Sequence, residues 1–193
     1  MCNELYLLRH GQSEWNAARR HQGQLESRLT ELGRSQAAAM GAVLAREIAE
    51  PARFTAFTSP LLRASETAAI ALAPLGLTAT ADDRLKEVHF GAWQGLTDAE
   101  IFARYPWAEA PREADPFMWN FMAPGGETLP LLSARLGAFL DGLAGPAVIV
   151  AHGVALRVLR GLCLGLDSSG MRDLPGGQGV VWRLRDGAHS VLA

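Results

Sequence analysis

Leu5-Tyr6-Leu7-Leu8-Arg9-His10-Gly11 is the stretch on which the reading of this chain turns. Four apolar residues stop abruptly at two basic ones and a glycine. That is the pattern of a buried strand delivering side chains at its C-terminal edge. It returns at Ala147-Val148-Ile149-Val150-Ala151, which ends in His152-Gly153 and runs into a helix over 154–166. Phe54 to Thr58 reads as another strand, broken by Ser59-Pro60 ahead of a helix over 61–73, and Leu77 to Thr80 as a further one. Thr30 opens a helix with Met40, Val43, Leu44 and Ile48 at helical intervals, while residues 12–28 read as a loop. Thr97 and Glu100 form a capping box for a helix that ends before Pro106, and Glu127 to Leu143 reads as a helix. Val180 to Leu184 and Ala188 to Leu192 flank Asp186-Gly187, a hairpin signal. Strands alternating with amphipathic helices predict an α/β fold, with a mostly parallel sheet, helices on both faces and an antiparallel C-terminal edge hairpin.

The 193 residues are expected to form one domain over 1–193. Residues 106–126 hold four prolines, two tryptophans and Gly125-Gly126, and read as an irregular insertion or lid. Hydrophobic residues make up 49% of the chain and charged ones 20%, which excludes wholesale disorder. Eighteen basic residues against twenty acidic give a net charge of −2, so the basic excess of a general nucleic-acid binder is absent. Any anion must therefore be met by locally placed cations. All the basic residues except Lys86 are arginines. In an alanine-rich chain this bias is mostly compositional, although arginine suits bidentate phosphate binding. Cys2 and Cys163 have no zinc-ligand spacing and are expected to be free thiols in a reducing compartment. No secretory signal is evident, and the uncharged stretches are too short for a membrane span. The expectation is a cytoplasmic protein with neither nucleic acid nor membrane as partner.

In such folds ligands bind beyond the C-terminal ends of the strands. The endings at Arg9-His10-Gly11, at Ser59-Pro60 before Arg63, and at His152-Gly153 should thus meet in one crevice. Glu87 follows the strand candidate at 77–80. A neutral imidazole is a competent nucleophile toward phosphorus. Nearby cations favour that neutral form. Arginines clamp the phosphoryl oxygens as charge develops. A carboxylic acid can protonate the departing alkoxide and then serve as base for water. These are the parts for phosphoryl transfer without a metal or cofactor.

The residues resemble a family. LYLLRHGQSEWN (Leu5 to Asn16) is similar to the N-terminal signature of the histidine phosphatase superfamily, the phosphoglycerate mutase-like proteins. Gln22-Gly23 with Leu29-Thr30 and Gly33 follows in order. So do SPLLRASETA (Ser59 to Ala68), Leu85-Lys86-Glu87 with Phe90-Gly91, Trp93 and Gly95, Pro124-Gly125-Gly126-Glu127, and Ala151-His152-Gly153. The resemblance implies a three-layer α/β/α sandwich and a small phosphorylated substrate. It implies that His10 is the phosphate-accepting nucleophile and Glu87 the general acid and then base. Arg9, Asn16, Arg63 and His152 would hold the phosphoryl group, with Gln22 and Gly23 at the substrate edge. Glu26, Arg28 and His89 depart from the family pattern, at positions expected to flank the pocket and bear on the leaving group.

Each residue has a plainer reading. Glu87 could pair with Lys86 or Arg84, and Asn16 could cap a turn. His21, His89 and His189 read as structural or solvent-facing. Gly176, Gly177 and Gly179 lack the GK[ST] of a P-loop and read as a turn before the last hairpin. Phe90, Trp93, Trp119, Phe121 and Met122 could line a substrate wall, although core packing is the commoner fate. Three functions stay open. A phosphomonoester hydrolase working through a phosphohistidine leads, because family mutases are usually longer. A phosphoglycerate mutase-type transfer is the second. The third is a catalytically weak phospho-ligand binder, against which the intact His10, Glu87 and His152 set argues.

Overall fold

A computed structural model describes residues 4–192. The elements run β1 (Leu5–Arg9), α1 (Glu14–Ala17), α2 (Glu31–Glu47), β2 (Thr55–Thr58), α3 (Leu62–Leu72) and β3 (Thr80–Ala81). They continue with α4 (Asp98–Arg104), α5 (Glu109–Ala114), α6 (Pro116–Trp119), α7 (Leu129–Asp141), β4 (Ala147–Ala151), α8 (Gly153–Leu164), α9 (Ser168–Asp173), β5 (Val181–Arg185) and β6 (Ala188–Leu192). The strands form one sheet in the order β3-β2-β4-β1-β5-β6. β1, β2, β3 and β4 are parallel, while β5 runs antiparallel to β1 and to β6. This is the expected fold class, C-terminal hairpin included.

Alternation along the strands builds the layers. Leu5 and Leu7 of β1 share one core with Ala147 and Ile149 of β4, and with Trp182 and Leu184 of β5. Tyr6, Leu8, Val148, Val150 and Val181 point into a second core on the other face. Strands buried on both faces read as unbroken apolar runs for this reason. Helices α7 and α8 cover the first face with Leu132, Leu136, Phe139, Leu156 and Leu159. Helices α2 and α3 cover the second with Met40, Leu44, Ala68 and Leu72. At the hairpin tip, Asp186 (φ 52°) and Gly187 (φ 75°) both take the left-handed backbone that a tight two-residue turn demands.

The structure differs from the sequence reading in four places. Part of the expected loop at 12–28 is helix α1, held by a capping box between Ser13 and Asn16. Four residues are too few to show a helical period. The strand expected over 77–80 shrinks to β3, an exposed two-residue edge. The helix after β4 stops at Gly165 (φ 66°), and α9 begins separately. Cys163 is disulfide-bonded, against the expectation of a free thiol. Distance along the chain does not determine distance in space, and Cys2 lies outside the described residues. No helix among the described residues is long and apolar enough to cross a membrane.

The turn after β1 is fixed by backbone contact. A Cβ on Gly33 would collide with the carbonyl of Gln12, and one on Gly11 with the carbonyl of Gly33. Backbone cannot rotate aside as a side chain can, so α2 sits directly against the turn that carries His10. Gly33→Ala should cost about 1–3 kcal/mol of stability. Urea unfolding checks this, with Gly137→Ala, where an added Cβ meets nothing within 4 Å, as the control.

Candidate active site

The strand endings do converge. A cavity of about 390 Å³ opens at the C-terminal edge of the parallel strands, and Arg9, His10, Arg63 and Glu87 all line it. His152 lies directly beside, its ring centroid 5.2 Å from that of His10. Asn16, Gln22 and Gly23 line the cavity too.

His10 leaves the end of β1 and is almost fully buried. Its Nδ1 lies 2.7 Å from the Gly11 carbonyl. A carbonyl only accepts, so Nδ1 carries the proton and Nε2 the lone pair. Burial first, then the charges of Arg63 and Arg9, push the His10 pKa well below the usual histidine range. His152, also buried, is driven down by the same burial and by Arg63. Its Nε2 lies 2.7 Å from Ser59 Oγ, and its Nδ1 is buried with no partner.

Arg63 reaches the site from the first turn of α3 and is 1% exposed. Its terminal nitrogens donate to the carbonyls of Leu25 (2.8 Å) and Gly23 (2.7 Å). Burial lowers its pKa to about 10, which leaves it charged at neutral pH. Thr67, one turn along α3, accepts from the Gly11 N–H (3.1 Å) and donates to the Arg63 carbonyl (2.7 Å). That hydroxyl ties the His10 turn to the Arg63 helix. Arg9 packs against Gly153, where a Cβ would lie 3.3 Å from its Nε. Arg9 Nε and Arg63 Nε join His152 Nδ1 as buried nitrogens without partners. Three orphan nitrogens around one cavity suit a tetrahedral oxyanion.

Glu87 comes from the irregular segment after β3. Its Oε1 accepts from Val88 N–H (3.0 Å) and Ala155 N–H (2.9 Å), and its Oε2 from Val154 N–H (3.1 Å). The carboxylate thus sits on the N-terminus of α8, where unpaired amides face it. Its alternative partners are taken elsewhere, since Lys86 pairs with Asp83 and Arg84 with Asp82. From α7, Arg135 donates to the carbonyls of Arg84, Lys86 and Glu87, and Glu127 holds Arg135 in a bidentate pair. Sequence reasoning missed Arg135 and Thr67, because neither carries chemistry of its own. The only signal for Arg135 was its place eight residues after Glu127 on a helix.

Several side chains are placed differently from expectation. Asn16 does cap its turn, through Oδ1, and lines the cavity as well. Glu26 does not reach the cavity; it accepts the Leu62 N–H at the start of α3. His89 accepts the Gly91 N–H, and Arg28 is exposed outside the cavity. The departures from the family pattern are therefore spent on backbone and surface. His21, read as structural or solvent-facing, lines the cavity and meets Asp98 at 2.5 Å. Phe90 and Trp119 are both core and wall, whereas Trp93 stacks behind Trp119 at 4.3 Å. Gly176 and Gly177 lie in irregular chain ahead of β5 and also line the cavity. Among the described residues no group of three or more His, Cys, Asp or Glu could hold a metal ion.

The two depressed histidines make stability depend on pH. Unfolded, each takes up a proton near pH 6.5; folded, each stays neutral well below that. Their contribution is complete above about pH 6.5 and falls as pH drops, by up to about 1.4 kcal/mol per unit for each group. Denaturant titration from pH 7.5 to 5 should show this slope, and His152→Asn should make it shallower. Imidazole resonances of His10 and His152 should remain those of neutral rings at pH 6.

Comparison with known proteins agrees with this geometry. The sequence model of the histidine phosphatase superfamily (branch 1) matches residues 5–189. A glucosyl-3-phosphoglycerate phosphatase of Mycolicibacterium vanbaalenii is 38% identical over 190 residues, covering 92% of this chain and 81% of that one. A probable phosphoglycerate mutase, GpmB, of Photorhabdus laumondii is 33% identical over 177 residues, covering 89% and 79%. A solved mycobacterial glucosyl-3-phosphoglycerate phosphatase in complex with VO3 superposes with a TM-score of 0.78 at 35% identity, covering 95% of this chain and 91% of that one. With matching strand endings, matching motifs and relatives along nearly its whole length, this chain belongs to the histidine phosphatase superfamily.

Proposed function

We propose that this protein is a metal-independent phosphoric monoester hydrolase acting on a small phosphorylated metabolite through a phosphohistidine. The observation that carries the reading is His10: a buried ring, with Nδ1 committed to the Gly11 carbonyl, beside buried Arg63 and part-buried Arg9. Such a ring is neutral at physiological pH, and its one lone pair is on Nε2. Relatives named as phosphatases support the hydrolase reading.

The reaction has two displacements. Nε2 of His10 attacks phosphorus as the bond to the leaving oxygen breaks, and Glu87 passes a proton to that oxygen. Arg9, Arg63, Asn16 and His152 hold the remaining phosphoryl oxygens, while Gln22 and Gly23 border the leaving group. Glu87, now a carboxylate, takes a proton from water as its oxygen attacks phosphorus. The P–N bond breaks, inorganic phosphate leaves, and His10 is neutral again. The fixed carboxylate suits this shuttle, because three backbone amides prevent it from swinging away between steps.

The chain works as one domain, with 106–126 as a wall over the leaving group rather than a separate unit. Burial of Phe117 and Trp119, and the bond from Trp119 Nε1 to the Ala108 carbonyl (2.9 Å), support that reading. A cytoplasmic place of action suits a charged metabolite, which does not cross a membrane unaided. The mutase reading draws on the GpmB relative. Isomerised phosphoglycerate accumulating with little free phosphate would favour it.

Turnover of phosphomonoesters should release inorganic phosphate. Label trapped on the protein should be acid-labile and alkali-stable, and absent from His10→Ala. Glu87→Gln should slow alkyl phosphates by about a hundredfold or more but nitrophenyl phosphate by less than about tenfold, since a good leaving group needs little protonation. Equal losses on both would remove Glu87 from the acid role.

A further inference from the structure

The phosphoryl-binding arginines are not the only cations of the cavity. Arg157 and Arg160, on successive turns of α8, line it as well. Arg160 is 1% exposed. Its Nε and Nη2 reach only the carbonyls of Leu156 (3.4 Å) and Pro175 (2.7 Å), and its Nη1 is buried with no partner. It stacks on Trp182, 4.4 Å from the ring centroid, and the Trp182 indole N–H is also buried and unpartnered. Arg157 donates to the Arg172 carbonyl (3.0 Å) and lies over Phe117. A Cβ on Gly176 would come within 3.1 Å of its Nη2, so this glycine gives the guanidinium room.

Among the described residues neither arginine pairs with a carboxylate. Those around the cavity are engaged elsewhere: Asp98 with His21 and Arg112, Glu100 with Arg20, Asp115 with Arg172, and Glu87 with α8. Arg157 instead faces two cations, Arg9 and Arg160, and His189 stands near Arg160. A buried charge is costly unless something compensates it; three backbone carbonyls take part of the donors, while Arg160 Nη1 and the Trp182 N–H stay unpartnered. We propose that Arg157, backed by Arg160 and the Trp182 N–H, is a second anion subsite that takes a carboxylate on the leaving group of the substrate. A guanidinium matches a carboxylate in planar, two-bonded geometry. The preferred substrates are thus phosphorylated hydroxy acids, not phosphorylated neutral alcohols. This deepens the hydrolase reading and rests on it.

The test compares 3-phosphoglycerate with glycerol 3-phosphate, which lacks the carboxylate. Calorimetry on the non-turnover variant His10→Asn gives the ratio of dissociation constants, and kcat/KM on the active protein gives the ratio in turnover. The acid should be favoured about tenfold or more. Arg157→Gln should bring both ratios close to one, Arg160→Met should lower them, and Arg157→Lys should keep most of the preference. A parent that binds both ligands alike, or variants that weaken both alike, would overturn the subsite and leave the two arginines a structural role. Should no phosphomonoester be hydrolysed, the hydrolase reading fails, and the binding ratio still decides the subsite.

Discussion

Positive charge buried beside two neutral imidazoles is the constraint on which the rest of this structure depends. Arg63 is sealed into the protein, Arg9 is largely so, and Glu87 is the carboxylate that offsets both. Moving such charge out of water is expensive. Burial first, and then the same charge, keeps His10 and His152 unprotonated, and three buried nitrogens stand without partners at one point. A single oxyanion would satisfy all three nitrogens together. Every nearby element holds the cations where water and acidic side chains would otherwise neutralise them.

The holding is done mostly by backbone. Arg63 spends its terminal nitrogens on the carbonyls of Gly23 and Leu25, and Gly23 can present its carbonyl there because it adopts φ 54°. Glu87 is fixed by three amides, two of them at the start of α8. Arg135 grips the carbonyls of Arg84, Lys86 and Glu87 behind it. Backbone groups have little freedom to relax, so the site is preorganised before anything binds. This places the tightest steric demands on glycines rather than on the reacting residues. Gly11, Gly33 and Gly153 each have backbone or a guanidinium where a side chain would go.

This division explains what could be read from sequence. His10 and His152 were legible because strand ends announce themselves: an apolar run buried on both faces stops where the polar chemistry begins. Arg63 was legible because Ser59-Pro60 breaks a strand just before a helix. Glu87 was found through its motif, but its seat on the α8 amides pairs residues 67 positions apart and leaves no local pattern. Thr67, Arg135 and the engaged state of Glu26 were invisible for the same reason, since their partners are carbonyls and amides that every residue carries. Helix α1 escaped because one turn has no period. The β3 edge was overread because its apolar run packs beneath the sheet margin without pairing along its length.

The arginine count looked compositional, and the structure separates that bias into two kinds. Arg46, Arg53, Arg104 and Arg185 lie on the surface, where lysine would serve as well. The cavity is different: six arginines line it. Two of them, Arg20 and Arg112, are balanced by Glu100 and Asp98. Arg9 and Arg63 share Glu87. Arg157 and Arg160 have no such counterion among the described residues, and they sit on the same helix that seats the carboxylate of Glu87. One helix thus brings opposite charges to the cavity: its N-terminal amides fix the Glu87 carboxylate, and its next two turns carry Arg157 and Arg160. A net charge of −2 is a sum over the whole chain, while the cavity is cationic because six arginines and only one carboxylate, Glu87, line it among the described residues.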